Sequence, residues 1–229
     1  MQQRLTTPKA KYSYGPYNKF NKKEQWIRIT EGCPHNCPYC FEPQEVKIFD
    51  IPEIVRKDVK ITDMNILCKK EALGIIKELG DKRPGGKVVY YELVCGIDYR
   101  FLTKKIAEAL KQSRFKKIRL AWDWLMMDQY KIKEAKGLLL KAGYRKREIM
   151  IFIICNWKIP YEICCSKLDL CKVWGLQVAD CYFDNQTFPN VIPLHWTDEQ
   201  NKSFRKKCRK HNQLVNFGID PEVKSVRIK

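Results

Sequence analysis

The sequence predicts an α/β fold, in which six parallel strands alternate with helices to form an open, partial (β/α)6 barrel with short N- and C-terminal extensions. Short apolar segments of strand character alternate with amphipathic segments of helical period, at a spacing of roughly 30 residues. Several of the strand segments are apolar on both faces, as a covered parallel sheet requires. The chain has 229 residues, which accommodates six such units, whereas a closed barrel of eight needs about 250.

The strands are expected where apolar runs of four to eight residues are bounded by polar or turn-forming residues. In chain order they are Trp26–Thr30, Val59–Thr62, Val88–Val94, Lys117–Trp122, Ile149–Cys155 and Leu176–Phe183.

The helices are expected where apolar residues recur three and four positions apart and where capping residues, Pro or Gly mark the ends. The first helix carries Ala72, Ile75, Ile76 and Leu79 and stops at Gly80. The second spans Leu102–Leu110, with Thr103 as its N-cap if the helix starts late. The others are Asp128–Gly143, Pro160–Trp174 before Gly175, and Asp198–His211.

The composition favours a cytoplasmic protein with a polyanionic partner. Lys and Arg number 44 against 26 acidic residues, a balance typical of proteins that bind a nucleotide or nucleic acid, although a Lys-rich surface alone is the simpler explanation. Eleven cysteines without an apolar signal segment indicate reduced thiols, and no apolar run is long enough for a membrane span. We expect a basic, aromatic arm over residues 1–24, the barrel over 25–195, and a basic helix and tail over 196–229.

The segment Glu31–Pro43, EGCPHNCPYCFEP, carries three cysteines in C-x3-C-x2-C spacing directly after the first strand. Loops at the carboxyl ends of parallel strands build active sites. Three thiolates on one short loop suit an iron–sulfur cluster. Because a [4Fe–4S] cluster needs four ligands, three cysteines leave one iron open to a small molecule with an amine and a carboxylate, which is typical of a catalytic site.

Over residues 25–185 this loop and the strand–helix pattern resemble the radical S-adenosylmethionine (radical SAM) superfamily. The resemblance implies that Cys33, Cys37 and Cys40 hold a catalytic [4Fe–4S] cluster and that SAM chelates the open iron. It further implies that an electron from a reductant such as flavodoxin or ferredoxin cleaves SAM to a 5′-deoxyadenosyl radical. That radical would abstract hydrogen from an unidentified substrate, for which the net charge alone suggests a nucleotide or nucleic acid. Tyr39 matches the aromatic position near the SAM adenine.

Further SAM contacts are expected at the ends of later strands. The usual Gly-Gly-Glu is absent, and Asp63 or Asn65 stands in its place to hold the SAM amine, or caps the next helix instead. Asp123 suits the SAM ribose, with a helix cap as the alternative. The other candidates around these strand ends are Gly96, with Glu92, Asp98 and Arg100 near it, and Asn156.

Several residues carry weaker signals. Cysteines near strand ends can donate a hydrogen atom or hold a second cluster, although burial of a small apolar side chain is the default explanation; these are Cys68, Cys95, Cys155 and Cys181. His35 is expected to face solvent. The basic residues of the last helix suit either a solvated surface or a phosphate-binding rim.

Three other functions remain open. A compact radical SAM protein can install a radical on a partner protein as an activase. Cys37-Pro-Tyr-Cys40 also fits a glutaredoxin-like thiol–disulfide protein, which would need a helix after Cys40 and would not need Cys33. A zinc-binding nucleic-acid module is the third alternative, although zinc usually takes four protein ligands.

Overall fold

The computed structural model of the chain describes residues 23–37, 39–40, 42–123, 126–155, 157–182 and 196–218. Nearly all of the predicted arm over residues 1–24 lies outside these ranges, as does Asn156. No helix among the described residues combines the length and the apolar character that a membrane crossing requires.

The described strands are β1 (Glu24–Ile27), β2 (Thr30–Glu31), β3 (Lys47–Ile48), β4 (Asp58–Ile61), β5 (Tyr90–Leu93), β6 (Ile118–Ala121), β7 (Ile149–Cys155) and β8 (Gln177–Tyr182). The described α-helices are α1 (Ala72–Asp81), α2 (Lys104–Gln112), α3 (Gln129–Lys141), α4 (Tyr161–Trp174) and α5 (Asp198–Asn216). The chain divides into two compact units, one of residues 1–119 and 134–144, the other of residues 120–133 and 145–229.

A three-stranded parallel sheet of order β1-β4-β5 forms the centre of the first unit. Because the strands are parallel, their carboxyl ends meet at one edge of the sheet. Helices α1 and α2 follow β4 and β5, and α1 buries the apolar face predicted for it, including Ile76 and Leu79. Tyr91 of β5 anchors α1 by donating its hydroxyl to the Leu79 carbonyl over 2.6 Å and stacks on Phe115.

The second unit contains the parallel pair β7 and β8, with the end of β6 on the other side of β7. Helix α4 starts after Pro160 and stops at Gly175, whose φ of 66° ends the helix in the left-handed conformation. Helix α5 packs against β8, where the side-chain amide of Asn212 pairs with both backbone groups of Val178.

The predicted α/β class and all six predicted strands are confirmed, and the described strands close no barrel. Thr103 does cap a late-starting α2, accepting from the Ile106 N–H over 3.3 Å, so Leu102 lies before the helix. The predicted end of the last helix at His211 is wrong, because α5 continues to Asn216. Val215 extends the buried apolar face of α5, and its burial stabilises the added turn.

The first strand is shorter than predicted and ends at Ile27. The backbone N–H groups of Ile29 and Thr30 turn to the carboxylate of Asp63 instead of continuing the parallel ladder, with both distances 2.8 Å. Thr30 then starts the antiparallel pair β2–β3, which was not predicted because each strand has only two residues. This pair brings together the two ends of the segment that carries the three cysteines.

Candidate metal centre

The cysteine loop, Gly32–Pro43, is closed at its base by backbone contacts. Cys33 N donates to the Pro43 carbonyl over 2.8 Å, and Cys40 N donates to the Cys37 carbonyl over 3.0 Å. Gly32 has a φ of 89°, and a Cβ there would collide with the backbone of Glu45. Glycine is therefore required where the chain leaves β2 and enters the loop.

Three charged side chains fix this base, and sequence reasoning missed all of them. Glu42 Oε1 accepts the Gly32 N–H over 2.7 Å and pairs with the Arg28 guanidinium over 2.6 Å, and both charged side chains are buried, at 2% and 9% exposure. Lys69 donates its Nζ to the Glu31 carbonyl over 3.0 Å and also to the Gly32 carbonyl. The loop is thus held from both sides by buried charge-assisted hydrogen bonds, the stronger kind.

Cys33 is the most enclosed of the three thiols, with 8% of the residue exposed. The Cys68 thiol, the Asn65 side chain and the His35 backbone all hydrogen-bond its sulfur; together they lower the pKa of Cys33 although burial opposes them. Asn65 Nδ2 lies 3.4 Å from Cys33 Sγ. Cys33 is therefore prepared to be a thiolate, the form that binds metal.

Cys37 and Cys40 are half-buried. Burial, together with the charges of Cys37, Glu42 and Cys33, raises the pKa of Cys40 to about 11, although the Glu42 N–H donates to its sulfur over 3.5 Å. The thiolates of this loop therefore oppose one another when no cation is near. Bound metal would remove that penalty by supplying positive charge among the sulfurs.

Asn65 and Asp98 meet beside Cys33, at the carboxyl ends of β4 and β5. Asn65 Nδ2 also donates to Asp98 Oδ2 over 3.3 Å. Asn65 Oδ1 is a buried acceptor without a hydrogen-bond partner among the described residues. Asn65 precedes the short helical turn Ile66–Cys68 but makes no side-chain cap, so the capping alternative for this residue is wrong.

The expectation that His35 faces solvent is also wrong. Its ring is mostly covered, and Nε2 lies 3.0 Å from Asp98 Oδ2, at ion-pair distance but without hydrogen-bond alignment. The same Asp98 carboxylate also binds Arg100, whose Nε and Nη2 each donate to it over 2.8 Å. Arg100 is consequently held by Asp98 while its side chain stays partly exposed.

Asp63 is fully buried and uses both carboxylate oxygens on the N–H groups of Ile29 and Thr30. Burial raises the pKa of Asp63 to about 6. The carboxylate therefore joins the ends of β1 and β4 and does not cap a helix. Asp63 and Asn65 are the two residues predicted to hold the SAM amine. Of these two, only Asn65 has an acceptor, Oδ1, without a hydrogen-bond partner among the described residues. The contact with SAM stays a prediction.

The remaining predicted contacts fall in both units of the chain. Tyr39 is half-buried in the cysteine loop, and Gly96 is buried after β5 with a φ of 86° that favours glycine. Asp123 follows β6 in the second unit, where its charge acts on the buried Lys167. Their roles with SAM stay predictions, and Asn156 lies outside the described residues.

The other strand-end cysteines differ in their surroundings. Cys68 contacts Cys33, and Cys95 donates to the Thr62 carbonyl over 3.5 Å. In the second unit Cys155 is buried and donates its thiol to the Ile153 carbonyl over 3.3 Å, and Cys181 is half-buried. Cys68 is thus the additional thiol that lies directly beside the cysteine loop.

Among the described residues, no group of three or more Cys, His, Asp or Glu side chains is arranged to hold a single metal ion. The fit to an iron–sulfur cluster therefore depends on the donor chemistry. The loop supplies three soft sulfur ligands and the Glu42 N–H donor to Cys40, and Asn65, after β4, adds an N–H donor to Cys33 and an unpartnered buried amide oxygen. These features suit three cluster irons and a small amine-bearing ligand.

No protein-family model and no curated protein sequence matches the chain. Among solved structures, the fold is similar to that of TsrM from Kitasatospora setae, a radical S-adenosylmethionine methyltransferase with cobalamin and a [4Fe–4S] cluster bound, at a TM-score of 0.56 and 11% identity over 69% of this chain and 36% of that chain. TsrM with tryptophan substrate and the SAM analogue aza-SAM gives a TM-score of 0.57 and 11% identity over 69% and 35%. The likeness concerns the fold, and the match spans about a third of TsrM.

Proposed function

We propose that the chain is a radical SAM enzyme in which Cys33, Cys37 and Cys40 hold a [4Fe–4S] cluster. The observation that carries this proposal is the position of the three-cysteine loop, which is clamped at its base and lies at the carboxyl edge of a parallel sheet. The similarity of the fold to TsrM, a radical SAM methyltransferase, supports it. Cys33, Cys37 and Cys40 would hold the cluster, which when bound and reduced would supply the electron for reductive cleavage of SAM and thus for radical abstraction of hydrogen from a substrate.

The residues around Cys33 would orient SAM. The unpartnered Asn65 Oδ1 suits an ammonium group, because a buried acceptor gains most from a charged donor. Arg100 is fixed by Asp98 through one side of its guanidinium, which leaves Nη1 without a described acceptor and available to a carboxylate. Tyr39 would contact the adenine, as the resemblance implies.

The clamp of Arg28, Glu42 and Lys69 would position the cysteine ligands. Iron–sulfur potentials depend on hydrogen bonds to the sulfurs and on exposure to solvent. The Asn65 amide donates to Cys33 and the Glu42 N–H to Cys40, so both ends of the loop would tune the cluster. The electron would come from a small reductant such as a flavodoxin or ferredoxin.

The glutaredoxin-like alternative is disfavoured by the local structure. A reactive CxxC pair usually has its first cysteine at a helix N-terminus with a lowered pKa. In the described part of the segment after Cys40 the chain forms no helix and enters β3. The thiol with the lowered pKa is Cys33, outside the pair, whereas that of Cys40 is raised.

The test is anaerobic reconstitution with iron and sulfide, followed by dithionite and SAM. We expect about four irons and four sulfides per chain, as the cluster type requires, and 5′-deoxyadenosine by chromatography. Cys33→Ala should lose both. Cys165→Ala is the matched control, since Cys165 lies on α4 in the second unit, and it should retain both.

Three results would contradict the proposal. The wild-type chain could bind zinc or no iron, or it could form 5′-deoxyadenosine equally well after Cys33→Ala. In the first case the zinc or thiol functions would have to be reconsidered. A loaded cluster without SAM cleavage would instead contradict the catalytic part of the proposal.

A further inference from the structure

Helix α5 has a buried face and a strongly basic exposed face. It starts at a capping box, in which Thr197 accepts from the Gln200 N–H and the Gln200 side chain accepts in return. Its buried residues, which pack within the second unit, are Phe204, Cys208, His211 and Val215. Because the apolar side chains are used in this packing, the exposed face is free to carry charge.

The exposed face forms a continuous row that we call the basic ridge. Its residues follow one another at the three- and four-residue spacing that keeps side chains on one side of a helix, and they line an open groove of about 500 Å³. At 1.5 Å per residue the row is about 16 Å long. Its members are Lys202, Arg205, Lys206, Arg209, Lys210 and Gln213.

The charge of the basic ridge is largely uncompensated. On other helices Lys residues pair with an acid three or four positions away, as in Lys104–Glu108 on α2 and Lys172–Asp169 on α4. Among the described residues, Arg205 of the ridge lies 3.4 Å from Asp180, and Lys202 interacts electrostatically with Glu199, three positions before it. Among the described side chains no carboxylate lies within ion-pair distance of Lys206, Arg209 or Lys210. A row of like charges on one face costs stability unless a partner neutralises it.

We propose that the basic ridge binds the phosphate backbone of a nucleic acid strand. A long, exposed row of cations without a buried anion pocket matches a linear polyanion and not a single phosphate. A membrane-surface helix would instead present an apolar face to lipid, and the apolar face of α5 is buried against β8 and α4. The inference does not depend on the iron–sulfur chemistry, because the whole ridge lies in the second unit.

The test measures binding of the full-length chain to fluorescein-labelled 20-nucleotide single strands of DNA and RNA by anisotropy over a series of salt concentrations. The ridge variant is Lys202→Gln, Lys206→Gln, Arg209→Gln and Lys210→Gln; it leaves the Arg205–Asp180 pair intact, and Gln keeps the helix propensity. The charge-matched control replaces four exposed lysines of the first unit by Gln, at Lys77, Lys87, Lys105 and Lys141.

Each neutralised phosphate contributes about −0.7 to the slope of log K against log salt for a single strand. The ridge variant should therefore lose up to about 2.8 of slope, which makes binding at 0.1 M salt up to about 600-fold weaker if the two proteins bind equally at 1 M salt. The control variant should lose less than a fifth of that. Circular dichroism of both variants should match the wild type. DNA and RNA should bind comparably if only phosphates are contacted.

Three outcomes would overturn the inference. The wild type could fail to bind either strand at low salt. The ridge variant and the control variant could lose affinity for the strands equally, which would attribute binding to the net charge of the chain and not to the ridge. Ridge-dependent binding could appear only with vesicles of phosphatidylcholine and phosphatidylserine, which would assign the ridge to a membrane surface. Apoprotein gives the same readout, so a failure of cluster assembly does not affect the result.

Discussion

The buried pair of Arg28 and Glu42 is expected to decide whether the cysteine loop is ordered. Replacing Glu42 by Ala removes the carboxylate that accepts from the Gly32 N–H over 2.7 Å and from the Arg28 guanidinium over 2.6 Å. Loss of one partner of a buried ion pair typically costs about 3–5 kcal/mol, because the other charge stays in the protein interior. For a chain of this size that corresponds to a fall in Tm of about 6–20 °C.

Glu45 provides the matched control within the same segment. Its side chain is 73% exposed and pairs with Lys47 over 3.0 Å at the surface, so Glu45→Ala should cost about 1 kcal/mol or less. Thermal unfolding of the apoprotein followed by circular dichroism measures both variants. After reconstitution, Glu42→Ala should also retain less iron than Glu45→Ala.

A double variant separates the ion pair from the loss of packing. If Arg28→Met is combined with Glu42→Leu, no charge is left unpaired, and the combined loss in stability should be smaller than the sum of the two single losses. If Glu42→Ala and Glu45→Ala are equally stable and retain iron equally, the pair does not hold the loop and the clamp has been misassigned.

Three further predictions concern groups near the carboxyl edge of the first sheet. Asn65→Ala should weaken SAM binding to the reconstituted protein about 10- to 100-fold by equilibrium dialysis, the value of a hydrogen bond to a charged group. Asp63 has a pKa near 6 in the folded chain and about 4 in the unfolded chain. Its contribution to stability is therefore present below pH 4 and is lost as the pH rises through 6. In urea unfolding, the free energy of unfolding of the wild type relative to Asp63→Asn should rise by up to about 2.7 kcal/mol from pH 7 to pH 4. Burial would raise the pKa of Glu92, but hydrogen bonds from Lys60 and Arg119 outweigh it and lower that pKa. Glu92→Gln should therefore cost about 3 kcal/mol in urea unfolding at pH 7, and less as the pH falls below the ordinary Glu pKa.

Each of the three has a contrary result. Unchanged dialysis with Asn65→Ala would leave the Asn65 oxygen without a role in SAM binding. A stability difference at Asp63 that does not vary between pH 7 and pH 4 would mean that the carboxyl ionises as it does in water. A penalty for Glu92→Gln that grows toward acid would reverse the sign of the pKa shift.

Local signals made much of the fold predictable. Pro160 and Gly175 bound α4 as their backbone preferences require, and the C-x3-C-x2-C spacing marks the cysteine loop from the sequence alone. The end of α5 was missed although Val215 continues the buried spacing of Phe204 and Cys208 by a further turn. The signal for the longer helix is therefore present in the sequence itself.

The support of the candidate site was not predictable in the same way. Glu42 and Arg28 are 14 residues apart, and Lys69 lies 37 residues from the Gly32 carbonyl that it binds. Such pairs form only when separate strands meet, and no local period marks them. Asp63 looked like a ligand or a cap because Asp favours both roles; its burial at the junction of β1 and β4 follows from sheet assembly.

The contact between Asn212 and Val178 has a consequence for solubility. Strand β8 is the last of the described strands in its sheet, and a free strand edge is a template for pairing with another chain. The Asn212 amide accepts from the Val178 N–H over 2.8 Å and donates to its carbonyl over 2.6 Å, as a residue of a neighbouring strand would. Helix α5 thereby shields that edge, and a chain shortened before Asn212 would expose it to self-association.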